Sequence, residues 1–306
     1  NFSVPAKTFG DASFSLVAPT SDSIGAFSYT SSNTAVATVS GTVVTIVGGG
    51  TATITANQAN TVDYGSTSIA ASLVVSQATP VITNFSAITK TFGNAAFALV
   101  APTTNSTGLF TYTSSNTAVA TIIGNTVTIV GAGVATITAT QASTTNFVSG
   151  SITTTLTVGQ ATPTITNFVV ATKTFGNAAF ALVAPTTNSP GLITYTSSNT
   201  AVATIVGSTI TIVGAGSSTI TATQESTANY LSRSITATFT VNKATTVLSS
   251  FTAITKTFGD ASFGIVTPTT NSDGTFTYTS SNTAIATIVG NTIAIVGGGS
   301  VSITAN

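Results

Sequence analysis

No cysteine, methionine, tryptophan or histidine occurs in the 306 residues. Without cysteine there is no disulfide and no thiolate metal site, so stability must come from packing and hydrogen bonds. Without histidine or cysteine, the commonest acid–base and nucleophilic constellations cannot be assembled. Charge is scarce as well: Asp, Glu, Lys and Arg make up 4% of the chain, six of each sign, for a net charge of zero. That leaves no electrostatic footprint for nucleic acid or anionic lipid, and little self-repulsion to hold copies apart. Mean hydropathy is high at +0.50. Even so, Thr, Ser or Gly interrupts every apolar run well short of a membrane-spanning helix. Neither a nucleic-acid partner nor membrane insertion of this segment is expected.

The acids are Asp11, Asp22, Asp63, Glu225, Asp260 and Asp273, and residues 84–166 contain none. Hydrolytic chemistry by paired carboxylates and calcium binding between domains both need acids brought close together, which this spread does not offer. The glycine-rich triplets at 48–50, 131–133, 214–216 and 297–299 are not followed by Lys-Ser/Thr or a helix, so they do not read as phosphate cradles. They read as hairpin turns that need positive φ. No catalytic, cofactor-binding or metal-binding residue is expected, nor any cofactor, and the chain is not expected to be an enzyme.

What the sequence does contain is repetition. Residues 111–122 and 194–205 are the same dodecapeptide, TYTSSNTAVATI, and close copies stand at 28–39 and 277–288. Lys-Thr-Phe-Gly begins at Lys7, Lys90, Lys173 and Lys256, each 83 residues after the last. Pro19, Pro102, Pro185 and Pro268 keep the same step, as do Tyr29, Tyr112, Tyr195 and Tyr278. One unit has been copied in tandem without insertion or deletion. At 83 residues the unit is too long for a solenoid coil and suits a small independent sandwich.

Within a unit the period is two. Val127 and Ile129 alternate with Thr126 and Thr128, Ile137 and Ala139 with Thr136 and Thr138, and Leu156 and Val158 with Thr155 and Thr157. This is the alternation of half-buried antiparallel strands, with branched Thr on the outer face. In the second unit about seven strands are expected, near 82–88, 95–101, 109–113, 118–123, 126–130, 134–141 and 151–158. The fold class that follows is all-β: tandem immunoglobulin-like β-sandwiches on an 83-residue repeat. The expected core of the second unit is Phe92, Phe97, Leu99, Phe110, Tyr112, Val119, Ile122, Val127, Ile129, Ile137, Phe147, Leu156 and Val158. Phe147 is in phase with Tyr64 and Tyr230, so plain packing suits this position better than a tyrosine corner. The repeated Lys is expected to be a solvated charge that deters edge pairing.

Boundaries fall at SQATPVI (76–82), GQATPTI (159–165) and NKATTVL (242–248). They divide the chain into 1–76, with its first strand missing, 77–159, 160–242, and 243–306, with its last strands missing. Joints this short, with no Gly/Ser spacer, are expected to hold the domains semi-rigidly. Four domains in line would span roughly 120 Å. Asn1 is in phase with Asn84 and Asn306 with Asn57, so both ends fall inside a unit. Either this is a window on a longer array, or a neighbouring chain supplies the missing strands.

Residues 110–140, FTYTSSNTAVATIIGNTVTIVGAGVATITAT, followed by TTTLTV at 153–158, resemble the bacterial Ig-like domains of the group 2 type. The resemblance covers all four units, the last in part. One departure is Tyr112 where many members carry Trp. The resemblance implies an extracellular structural protein at a cell or virion surface: a stalk or fibre of a bacterial adhesin or phage particle. Homo-assembly, end to end or lateral, is the expected partnership. The alternative is an adhesive module for a surface glycan or host receptor, with the loops at 57–65, 141–150 and 224–234 as candidate contacts.

Overall fold

The computed structural model describes residues 1–306, which form thirty short strands and no helix. Packing divides the chain into two compact units. The first comprises 1–167 with 186–193 and 223–234, and the second comprises 168–185, 194–222 and 235–306.

The first unit contains the complete second copy, which sets the pattern. One sheet has the order Phe110–Ser114, Gly133–Gln141, Gly150–Gly159, Ile88–Thr91. The first three strands are antiparallel, while Ile88–Thr91 runs parallel to Gly150–Gly159 and forms the edge. The facing sheet is Phe97–Ala98, Thr126–Ile129, Ala120–Ile123. A short ribbon pairs Ile82–Thr83 with Thr103–Thr104. Two antiparallel layers with this division of strands make an immunoglobulin-like sandwich, and the chain is built of such sandwiches in tandem. The expected first strand is broken into Ile82–Thr83 and Ile88–Thr91, because the chain leaves the short ribbon and joins the four-stranded sheet; Asn84, with φ of 61°, lies at the break. In the second unit, the facing sheet of the third copy keeps the order Phe180–Ala181, Thr209–Ile212, Ala203–Val206.

Turns follow local chemistry. Gly124, at φ of 61°, joins Ala120–Ile123 to Thr126–Ile129 as the first central residue of a two-residue hairpin. The triplet at 131–133 is not the expected hairpin. It carries the chain from Thr126–Ile129 in one sheet to Gly133–Gln141 in the other. Its demand for positive φ is real, with Gly133 at 145°. After Lys-Thr-Phe-Gly, the side chain of Asn94 accepts from Thr91 N at 2.9 Å, and Asp11 does the same for Thr8 N at 2.8 Å. A single carboxyl or amide oxygen suffices there, which explains why Asp and Asn interchange.

The core of the second copy is Leu99, Val119, Ala120, Val127, Ala135, Ile137, Leu156 and Val158, ringed by half-buried Phe85, Ile88, Phe92, Phe97, Tyr112, Ile122 and Ile129. Two expected members belong elsewhere. Phe110 sits at the rim, stacked on Tyr112 at 6.3 Å, and Phe147 leaves its own sandwich altogether. The repeated lysine stands on the edge strand, as a guard against edge pairing requires. Its head is not simply solvated, however: Nζ lies over a phenyl ring of the opposite sheet, 4.6 Å from the Phe97 centroid in the second copy.

Inward parity along Gly133–Gln141 ends on a polar residue, Gln141, which is fully buried. Its amide nitrogen donates to Ser106 O at 3.0 Å and Gly108 O at 2.8 Å, and its Oε1 accepts from the Thr104 hydroxyl at 2.8 Å. Gln58 and Gln224 bind the same loop in their copies. Each glutamine thus clips a connecting loop, and leaves no buried side-chain polar atom unpaired.

Burial also raises the phenol pKa of Tyr112 and of Tyr195 above the usual value near 10. Because the folded pKa lies above the unfolded one, the folded state binds more protons once pH passes about 10. The contribution of these two tyrosines is therefore complete below that pH and is lost as pH rises through the folded pKa. Urea midpoints measured from about pH 8 upward should hold level and then fall. Tyr112→Phe and Tyr195→Phe should flatten the fall.

Candidate functional site: the joints between copies

No group of three or more His, Cys, Asp or Glu side chains gathers anywhere in the chain. The most elaborated polar geometry lies instead where one copy meets the next. Two such joints fall wholly within the first unit.

Each joint is built by a turn late in the following copy. In the second copy the turn is Thr144 to Phe147. Thr144 N donates to Phe147 O at 2.9 Å, and Phe147 N donates back to the Thr144 hydroxyl at 3.1 Å. The turn is tied to the linker as well. Ala78 N donates to Asn146 O and Val148 N to Ala78 O, both at 2.9 Å, so Ala78 and Phe147 form a parallel bridge. The Gln77 amide donates to Thr144 O.

From this base the turn reaches back to the first copy. Asn146 Oδ1 accepts from Gly49 N at 2.9 Å. Phe147 meets Phe9 edge to face, with ring centroids 5.4 Å apart. The next joint repeats each element. Asn229 Oδ1 accepts from Ala132 N at 2.8 Å, Tyr230 meets Phe92 at 5.4 Å, and Ala161 bridges Tyr230. Residues 223–234 of the third copy accordingly belong to the first compact unit. Gly48 and Gly131 permit the approach: a Cβ on Gly48 would lie 2.6 Å from Ala35 O and 3.2 Å from Asn146 Oδ1.

The same turn in the first copy, Thr61 to Tyr64, closes on itself identically: Thr61 N donates to Tyr64 O at 2.8 Å. Its outer residues Val62 and Tyr64 are exposed. Of the three loops marked as candidate ligand contacts, those at 141–150 and 224–234 are joint elements. Sequence reasoning placed Phe147 in the core of its own copy and did not single out Asn146, because nothing in a period of 83 reveals that a residue's partner lies in the preceding copy.

Asn146→Ala should open this latch without unfolding either sandwich. Losing one partly buried hydrogen bond of about 1.4 kcal/mol should speed exchange of the Gly49 amide about tenfold. The Ala132 amide, held by the untouched Asn229, should exchange as before, which native-state hydrogen exchange read residue by residue would check.

No family model matches the chain, and no curated protein matches it in sequence. Among solved structures it is similar to Drosophila N-cadherin EC1-3, at 12% identity over 80% of this chain and 100% of that one, with a TM-score of 0.31. Sidekick-1 immunoglobulin domains 1–5 align at 13% identity over 79% of this chain and 58% of that one, with a TM-score of 0.32. A SusE-like surface-located polysaccharide-binding protein from Bacteroides thetaiotaomicron aligns at 16% identity over 70% and 43%, with a TM-score of 0.23.

Proposed function

We propose that the chain is a segment of an extracellular structural protein, a stalk or fibre of the bacterial group 2 Ig-like type that carries something outward from a bacterial surface or phage particle. The observation that carries this reading is the latch at two successive joints, the same hydrogen bond and the same aromatic pair each time. A joint that fixes neighbouring sandwiches serves reach and mechanical continuity. No catalysis is assigned: the few acids do not gather, and the joints hold only amides, carbonyls and rings. Homo-assembly suits the surface. Val17, Val100, Val183 and Val266 occupy one position in four copies, and every one of them is exposed. Charge is too sparse to keep neighbours apart.

Small-angle scattering with negative-stain microscopy tests the proposal. The parent chain should give particles with a narrow spread of bend at the first two joints. A variant with Asn146→Ala, Phe147→Ala, Asn229→Ala and Tyr230→Ala should give bent particles of equal contour length. Equal flexibility in both would sink the reading.

A further inference from the structure

We infer that the outer face of each three-stranded sheet is a lateral contact for a second copy of this chain, which meets it through the same residues. The contact rests on the homo-assembly proposed above and gives it a place on the fold.

In the second copy the outward side chains of this sheet are Ala98 and Val100 along one edge, Thr126 and Thr128 in the middle, and Thr121 and Ile123 along the other edge. Thr126 lies directly opposite Ala98 on one side and Ile123 on the other. Val100 stands two residues past Ala98. Val100 and Ile123 are 83% and 86% exposed. Strand parity turns both away from the core, so nothing inside the sandwich requires them to be apolar.

Four copies of the face show what is kept. Val17, Val100, Val183 and Val266 hold one position and are all exposed. The directly opposed pair behaves differently. It is Ile123 with Thr126, Val206 with Thr209 and Val289 with Thr292, with the apolar member on the same strand each time. In the first copy it is Ser40 with Val43. There the apolar side chain has crossed to the neighbouring strand, and a hydroxyl has taken its former place. The exchange keeps one branched apolar group and one hydroxyl at this spot, whichever strand supplies them. Strand propensity would be served as well by two threonines. An apolar group held in water at an exchangeable address answers a demand from above the face, not from within the sandwich.

The chemistry of the face selects the partner. None of its outward residues is charged in any copy. A charged partner would lose hydration there without gaining a counter-charge. Three strands wide and about four residues long, one face covers roughly 200 Å². A stable interface buries roughly 800 Å² per partner. A single-site ligand or a one-domain partner would therefore be held weakly. Four faces on one chain reach that size, and a partner able to use them all must repeat with the same period, as a second copy does. Sheets that meet through Val, Ile and Thr also pack in the manner of the two layers inside each sandwich. The same patch on both sides closes the pair symmetrically.

Sedimentation velocity of the 306-residue chain tests this contact. The parent should associate as concentration rises, with little dependence on salt because no charge takes part. Val17→Lys, Val100→Lys, Val183→Lys and Val266→Lys together should raise the dissociation constant at least about a hundredfold. The urea midpoint should hold, because all four positions are exposed. Thr53→Lys, Thr136→Lys, Thr219→Lys and Ser302→Lys add the same charge at exposed in-phase positions away from this face. At about 0.15 M salt they should shift the constant by about threefold at most. The four valines changed to Asp should also give a monomer, and mixing the Lys and Asp chains should restore a one-to-one pair that weakens with salt. Three results would each overturn the inference: a parent chain that stays monomeric to about 1 mM, equal loss from both sets of lysines, or no pairing on mixing. Each of them would leave the stalk reading intact wherever the particles keep their narrow spread of bend.

Discussion

Replacing Phe239 with Ala should lower stability by about 4 kcal/mol and, for a body of this size, the melting temperature by about 20 °C. Phe239 is fully buried in the third copy, with the Phe180 ring 5.7 Å away. Truncation removes the largest fully buried side chain of the protein and leaves a void between rigid sheets that cannot close over it. A second substitution separates size from burial. The in-phase residue is Leu in the first two copies, Leu73 and Leu156, so Leu is acceptable to this fold. Phe239→Leu should therefore cost only about 1–2 kcal/mol. Urea denaturation of the two variants would show this order. A Phe239→Ala loss below about 1 kcal/mol would mean that the two layers do not pack as described.

The second large effect is expected at Gln141. Gln141→Leu keeps the volume and leaves Ser106 O, Gly108 O and the Thr104 hydroxyl without their partner. Stranding buried polar groups costs more than the hydrogen bonds gained in forming them, so a loss of about 3 kcal/mol is expected. Gln141→Glu should be worse at neutral pH, because a carboxylate would face two carbonyl oxygens. Burial and those carbonyls raise the carboxyl's folded pKa above the ordinary glutamate value near 4.3. The penalty is therefore complete above the folded pKa, and below about pH 4 the protonated acid can donate again and recover part of it. Calorimetry of both variants at neutral and acid pH checks the sign. A Glu variant whose deficit deepens on acidification would contradict the hydrogen-bond assignment. The loop has no slack for repair: a Cβ on Gly108 would lie 2.0 Å from Ala142 O.

Much of this fold is legible in the alternation of Thr with apolar residues. Leu156, Val158, Ile137 and Val127 lie where parity places them, and the layers follow. Parity also points inward at Gln141, and its recurrence as Gln58 and Gln224 was the available signal for a buried polar clip; a pattern of apolar residues alone passes over it. The glycine triplet reveals a need for positive φ but not its purpose, since a hairpin and a crossover between sheets make the same local demand. Phe110 and Phe147 carry the right chemistry for a core, yet one stands at the rim and the other serves the preceding copy. The joints were the least legible part, because Asn146 acts on Gly49 at a distance that exceeds one period.

That distance has a consequence for synthesis. Gly49 and Asn146 are 97 residues apart, as are Ala132 and Asn229. A ribosome therefore releases each sandwich nearly one full repeat before the residue that clasps it to its successor. Every body must fold unaided first, and the clasps then shut in order from the N-terminal end. Since adjoining stretches are nearly the same in sequence and could exchange strands, this delay lets each one finish before a lookalike arrives.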